Sequence, residues 1–167
     1  LKAECGYQFT SELEGMFNDM RISQDMQDAY KAHKNSQAVQ EAGENSSDEK
    51  PIDIEVDVLT NGYWPSQNVP PCTLPRHVQD AIDSFSKFYM EKHTGRKLSW
   101  QTSAGAADVK AAFGDGPNYH RHELIVSTYQ MCILLLFNDK DIMTLREIRS
   151  HTHIPDLELR RHLISLC

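Results

Sequence analysis

The first 35 residues carry apolar side chains at helical spacing. One stripe comprises Leu13, Met16, Phe17 and Met20, and a second, after Ser23, comprises Met26, Ala29, Tyr30 and His33. Ser11 and Glu14 have the spacing of a capping box, which marks a helix start. The pattern predicts two short amphipathic helices. Because two such helices cannot enclose a core, residues 1–35 are predicted to be the end of a helical bundle whose other helices lie upstream of Leu1.

Residues 36–50 are polar and acidic, and this composition predicts a flexible loop. Residues 41–57 contain seven acidic residues and one base, Lys50, so nearly all of the chain's net charge of −7 lies there. An acidic docking tail and a solvated connector both fit the composition, and the connector is favoured.

The hydrophobic period changes from 3.6 to 2 after residue 51. Aliphatic residues alternate with acidic ones, which predicts a half-buried strand with one wet face. Its apolar members are Ile52, Ile54, Val56 and Val58, and its acidic members are Asp53, Glu55 and Asp57. Asn61 and Gly62 are predicted to end it in a turn.

The rest of residues 51–126 mixes one helical pattern with several strand-like ones. The helix is predicted by Val78, Ala81, Ile82, Phe85 and Tyr89, with Gly95 as a left-handed cap. Further strands are predicted by Leu98, Trp100 and Thr102, by Val109, Ala111 and Phe113, and by Leu124 and Val126. Gly114, Gly116 and Pro117 separate the last two segments and predict a hairpin between them. One helix and about four short strands predict a small α/β layer.

Residues 127–167 return to helical patterns. A strongly apolar helix is predicted to begin near Ser127 or Thr128 and to end near Phe137, and a capping box at Thr144 predicts the start of a second helix. A third helix follows Pro155, so the region predicts a winged-helix-like unit. The predicted fold class is therefore α+β: the end of a helical bundle, a small α/β sheet layer and a winged-helix-like helical unit.

Composition limits the class of protein. A chain of 167 residues with ordinary apolar and charged fractions can bury a core, which excludes a collagen, a coiled-coil rod or a wholly disordered tail. The densest apolar run, residues 131–137, is far shorter than the roughly 20 residues of a membrane span. Cysteines at 5, 72, 132 and 167 have no paired spacing, so we expect reduced thiols and an intracellular chain. The start without methionine and the end at Cys167 suggest a piece of a longer protein with its last unit truncated.

No residue pattern indicates catalysis or a metal centre. Cys132 lies in the apolar helix and is expected in the core, while Cys5 and Cys72 lack a nucleophile signature. Two histidine pairs, residues 120 and 122 and residues 151 and 153, have no neighbouring ligands that would complete a zinc site. They are predicted to be surface histidines.

The last two predicted helices also allow a DNA-binding interpretation. Residues 143–167 carry four arginines (Arg146, Arg149, Arg160 and Arg161) against three acids, a net charge of only +1. Duplex binding typically uses several phosphate contacts. A unit that serves packing or protein contact is therefore favoured, and a DNA-binding winged-helix protein remains the alternative.

Trp64 and Trp100 lie in a predicted sheet with too few strands to cover its own edges. An open strand edge can receive a strand from another chain. The tryptophans could equally pack under the helix, and the residues alone leave both interpretations open.

Several segments, in order, resemble the C-terminal region of the cullins. They are LKAECGYQFTS at residues 1–11, LEGMF at 13–17 with DM at 19–20, GYWP at 62–65, KHTGRKL at 92–98, SWQT at 99–102, AD at 107–108, STYQM at 127–131 and LFN at 136–138. The resemblance covers almost the whole chain and is strongest to the third cullin class, with the fourth class second. Departures fall mainly in residues 37–49 and 115–120.

This resemblance implies the scaffold subunit of a multi-subunit cullin-RING ubiquitin ligase, with no catalytic residue or cofactor of its own. The domains it implies are the bundle end (1–35), an acidic loop (36–50), the α/β domain (51–126) and the first winged-helix-like unit (127–167). A RING-box protein would bind this segment by strand addition, and the zinc would belong to that protein. The ubiquitin-charged conjugating enzyme would bind the RING-box protein and so be an indirect partner of this chain. A BTB-type substrate adaptor would bind outside this segment. We expect location in the cytoplasm and nucleus, with neither membrane nor nucleic acid as a partner.

The resemblance and the open sheet together predict the residues that contact the RING-box protein. The strands over residues 54–59, 98–102 and 109–113 would make the main-chain hydrogen bonds. The predicted contact residues are Ile54, Val56, Val58, Trp64, Leu98, Trp100, Val109, Ala111 and Phe113. The lysine that receives the family's ubiquitin-like modification would lie past Cys167.

Overall fold

The computed structural model describes residues 6–41, 52–65, 69–114 and 119–167. The chain divides into two units: the first comprises residues 1–68 and 80–96, and the second comprises residues 69–79 and 97–167. Helices and a two-stranded sheet occur together, which confirms the mixed α+β class. In the described ranges, no helix has both the length and the apolar character needed to cross a membrane.

Helix α1 (Tyr7–Glu41) is one continuous helix of 35 residues. The predictions of two short helices, of a capping box at Ser11 and of a loop over residues 36–41 are therefore wrong. Ser23 does not start a second helix, because its hydroxyl is bonded to the backbone of a distant segment. Of the two predicted stripes, the second buries Met26 and Tyr30, while Phe17 is 71% exposed.

Helix α2 (Arg76–Lys92) confirms the predicted amphipathic helix, and its residues from Asp80 onward belong to the first unit. Phe85, Phe88 and Tyr89 are buried there. The ring of Tyr30 on α1 lies 5.1 Å from that of Phe85, edge to face, and 5.3 Å from that of Phe88. Such aromatic pairs stabilise beyond their buried area, so this cluster is the core of the first unit.

The strand predicted from residue 52 onward forms no ladder with another strand in the described ranges, so it adds no strand to the sheet. Residues 52–60 run instead as an extended segment whose alternate residues direct their backbone groups to α1. Ile54, Val56 and Val58 are half-buried while the intervening acids are exposed, which confirms the predicted alternation. The turn that follows is also confirmed, with Gly62 at a φ of +105° that favours glycine.

The predicted strand at residues 98–102 is wrong, because the backbone there forms no ladder and continues into a 3₁₀ turn, Thr102–Ala104. The Ala104 amide donates to the Gln101 carbonyl at 3.2 Å, which turns the chain. Gly105 follows, and a Cβ there would clash with the Thr128 hydroxyl. The close approach at Gly105 therefore fixes the chain against the next helix.

The second unit is built on a hairpin and three helices. Strands β1 (Ala106–Phe113) and β2 (His120–Ser127) pair antiparallel, with Val109 opposite Leu124, as the alternation predicted. Helices α3 (Thr128–Leu136), α4 (Leu145–Thr152) and α5 (Asp156–Leu166) follow, and complete capping boxes open α3 and α4. The core of this unit includes the buried residues Val126, Tyr129, Ile133, Ile148, Ile154 and Leu159.

Candidate strand-docking site

Polar side chains on one face of α1 hold the extended segment in the first unit. Gln27 donates from Nε2 to the Ile54 carbonyl at 2.8 Å, and its Oε1 accepts from the Val56 amide at 3.2 Å. One turn earlier, Ser23 accepts from the Val58 amide at 2.8 Å and donates to the Val58 carbonyl at 3.1 Å. Both side chains are buried, so the helix replaces a neighbouring strand for this edge of the segment.

Asp19, one turn before Ser23, fixes the end of the segment. Its carboxylate accepts from the Thr60 amide at 2.7 Å, from the Thr60 hydroxyl at 2.8 Å and from the Trp64 indole at 2.9 Å. Burial alone would raise the pKa of Asp19, but these three hydrogen bonds to the charged form together bring the pKa below its usual 3.8. Asp19 is therefore a charged anchor for both the strand and the turn.

Within the described ranges, the opposite edge of the segment is unpaired. Backbone N–H and C=O groups of successive residues point in opposite directions in an extended chain. Since residues 54, 56, 58 and 60 direct theirs to α1, those of Asp53, Glu55 and Asp57 are directed away from it. No hydrogen bond joins these three backbones to another residue in the described ranges. A held strand with one unpaired edge is a template for a further strand.

Gly15 lets the ring of Tyr63 lie against α1. A Cβ at position 15 would be 2.7 Å from two ring carbons of Tyr63, closer than atoms can pack. Gly15→Ala should lower the free energy of unfolding by about 1 kcal/mol, since overpacking exceeds the gain in helix propensity. Urea denaturation measures this change.

Tyr63→Ala provides the matched background for that measurement. Without the ring, the same Gly15→Ala substitution should raise the free energy of unfolding by up to about 1 kcal/mol, because only helix propensity remains. Equal losses in both backgrounds would show that contact with Tyr63 is not the cause.

The sequence-predicted contact residues lie in both units. Ile54, Val56, Val58 and Trp64 belong to the first unit, and Leu98, Trp100, Val109, Ala111 and Phe113 belong to the second. Trp64 is half-buried with its indole N–H bonded to Asp19, so part of its role is to anchor its own chain. Their contact with a RING-box protein stays a prediction.

Sequence reasoning missed Asp19, Ser23 and Gln27. Their signal was present as polar residues at four-residue spacing on one helix face, but such a stripe usually faces solvent. Only the alternating strand that uses them, some 30 to 40 residues later, distinguishes this stripe from an ordinary wet face.

The second unit holds the candidate cysteines and histidines that the structure describes. Cys132 is buried as predicted, and contact with the Cys72 thiol, together with burial, raises the pKa of the Cys132 thiol. His120, His122, His151 and His153 are all exposed, as predicted. His153 hydrogen bonds to the Thr73 hydroxyl at 2.8 Å.

Two of the four arginines that suggested DNA binding are paired with acids of their own unit. Arg149 lies 3.0 Å from Asp156, and Arg161 lies 3.0 Å from Glu158. These carboxylates compete with phosphate for the guanidinium groups, so the surface is less suited to a nucleic-acid backbone.

The fold and the site thus define a mixed α+β protein with an extended segment that is bound to α1 along one edge and is unpaired along the other in the part of the chain that the structure describes. The family profile described as "Cullin alpha+beta domain" matches residues 58–167, and that described as "Cullin alpha solenoid domain" matches residues 1–27. The chain belongs to the cullin family, which confirms the resemblance found in its sequence.

Individual relatives agree with this assignment. Cullin-3 of Dictyostelium discoideum is 47% identical over 166 residues, Cullin-3A of Arabidopsis thaliana is 48% identical over 167, and Cullin-4A of Homo sapiens is 43% identical over 166. Each match covers 99% of this chain and 20 or 21% of the relative. The chain therefore spans about a fifth of the length of these relatives, and it is more similar to the cullin-3 proteins than to Cullin-4A.

Proposed function

We propose that this chain is part of the scaffold subunit of a cullin-RING ubiquitin ligase and that it binds the RING-box protein by strand addition. The observation that carries the proposal is the extended segment over residues 52–60. Gln27, Ser23 and Asp19 bond to the backbone groups of its inner edge, while the groups of its outer edge have no hydrogen-bond partner among the described residues. Membership of the cullin family supports the scaffold role.

Such a scaffold contributes by positioning the conjugating enzyme relative to the substrate. Holding the ubiquitin-charged conjugating enzyme near a bound substrate raises their effective concentration, so the chain itself breaks and forms no bond. Because α1 already holds the docking segment in place, the entropy cost of binding the partner strand is lower.

The remaining parts of this proposal concern the rest of the assembly. Zinc would be held by the RING-box protein, and a BTB-type adaptor would bind a region of the scaffold outside this segment. The complex would act in the cytoplasm and nucleus without a membrane or nucleic-acid partner.

Co-expression with a RING-box protein, followed by size-exclusion chromatography with mass determination, tests the proposal. The chain should form a soluble stoichiometric complex. Glu55→Pro should weaken RING-box binding by at least about tenfold, because proline removes one amide of the open edge. Proline keeps the segment extended, so the hydrogen bonds to α1 from Val56 and Val58 should persist.

Glu55→Ala is the matched control, since it keeps the amide and should lose much less affinity. If a folded Glu55→Pro chain bound the RING-box protein as tightly as Glu55→Ala, the partner strand would have to lie elsewhere. A folded wild-type chain that formed no complex would contradict the proposal as a whole.

A further inference from the structure

We infer that the open edge selects a partner strand with lysine or arginine at alternate positions and apolar residues between them. This inference rests on the proposed strand addition and specifies the chemistry of the strand that is added.

The acidic side chains and the open backbone groups belong to the same residues. Asp53, Glu55 and Asp57 direct their N–H and C=O groups away from α1, and their side chains are exposed on one face at two-residue spacing. A strand added at this edge would therefore place every second side chain directly beside this row, with Cβ atoms about 5 Å apart.

The other face of the segment is apolar. Ile54, Val56 and Val58 are only half-buried, so an added strand would extend this apolar surface with side chains of its own. The two faces together require a partner that alternates apolar and basic residues, since one residue of slippage would bring the apolar side chains against the carboxylates.

Charge compensation in the free chain is incomplete. Lys31 on α1 lies 3.6 Å from Glu55, and both side chains are largely exposed. Asp53 and Asp57 form no ion pair with any residue that the structure describes. Three like charges along one row repel each other, and a basic partner strand would relieve that repulsion.

A metal ion fits this row poorly. Acids two positions apart on a strand have Cα atoms about 6.6 Å apart, whereas calcium ligands converge on the ion at about 2.4 Å. The described residues contain no cluster of three candidate ligands around one point. The acidic row is therefore better matched by basic side chains that repeat every two residues along a partner strand.

Binding of synthetic peptides to the chain tests the inference. One short peptide alternates lysine with valine, a second has the same composition with the lysines grouped together, and a third has glutamate in place of lysine. Fluorescence anisotropy should show at least about tenfold tighter binding of the alternating lysine peptide than of either other peptide. The preference should shrink as salt is raised.

The chain with Asp53→Asn, Glu55→Gln and Asp57→Asn together is the matched variant, because it keeps the backbone edge and the shapes of the side chains. It should lose the preference for alternating lysine. An unchanged preference in this variant, or failure of the wild-type chain to prefer that peptide, would overturn the inference.

The RING-box complex separates this inference from the proposed function. The triple variant should bind the RING-box protein about tenfold more weakly than the wild type. If it bound equally well while Glu55→Pro did not, the charge inference would fail and strand addition would stand. If Glu55→Pro also bound equally well, strand addition itself would fail.

Discussion

Phe85→Ala is expected to lower the free energy of unfolding of the first unit by about 3–5 kcal/mol. Phe85 is 0% exposed, and its ring contacts Tyr30 of α1 and the neighbouring rings Phe88 and Tyr89. Truncation removes the transfer energy of the ring and leaves a cavity that neighbouring aromatic side chains cannot fill. The contact between α1 and α2 should weaken, and with it the platform for the extended segment.

The measurement is urea denaturation followed by Trp64 fluorescence in a Trp100→Phe background. The chain has two tryptophans, and Trp64 is the one in the first unit. Phe17→Ala is the matched control, because Phe17 lies in the same unit and is 71% exposed. It should change the free energy of unfolding by no more than about 0.5 kcal/mol. Similar losses in the two variants would contradict the assignment of Phe85 to the core.

Asp19→Ala should lower the free energy of unfolding by about 2–4 kcal/mol. A hydrogen bond to a charged group is worth about 1.5–3 kcal/mol, and Asp19 accepts three. The sum is reduced because Thr60 is exposed and can bond to water instead. Hydrogen exchange at the amides of Val56, Val58 and Thr60 should accelerate, and RING-box binding should weaken because the strand is no longer preorganised.

The effect of Asp19 depends on pH in a defined direction. The pKa of this carboxyl is lowered in the folded chain, so its contribution to stability is complete above 3.8 and is lost as the pH falls below that value. Stability measured from pH 5 downward should therefore decline less steeply in Asp19→Asn, which cannot ionise. Parallel curves for the two proteins would show that folding does not lower the pKa of Asp19.

The sequence predicted those elements that are determined by residues close together along the chain. The sequence predicts the capping box of α4 from Thr144 and Glu147 and the start of α3 near Ser127 or Thr128. The pairing of β1 with β2 agrees with the alternating positions Val109, Ala111 and Phe113. The prediction of a strand at residues 98–102 was wrong because three alternating apolar positions do not distinguish a strand from a turn.

The interior of α1 and the site could not be predicted locally. Ser23 is a common helix-capping residue, and only its bond to Val58, 35 residues away, explains why the helix continues through it. Asp19 has the same character, since its partners lie 41 and 45 residues further along the chain. A hydrophobic pattern predicts which apolar face of a helix is buried. It does not predict that a polar face is buried because its side chains bond to a distant backbone segment.

Helix α1 and the extended segment differ in their rise per residue, yet their bonded positions stay in register. Four residues of helix advance about 6.0 Å, and two residues of strand advance about 6.6 Å. The mismatch is small enough for Asp19, Ser23 and Gln27 to stay in step with alternate residues, and the long side chain of Lys34 spans the gap to the Ile52 carbonyl. An insertion or deletion of a single residue within residues 54–60 would exchange the two edges, turning the groups now offered outward in toward the helix. A change of length by one residue would therefore disturb both edges unless a bulge absorbed it.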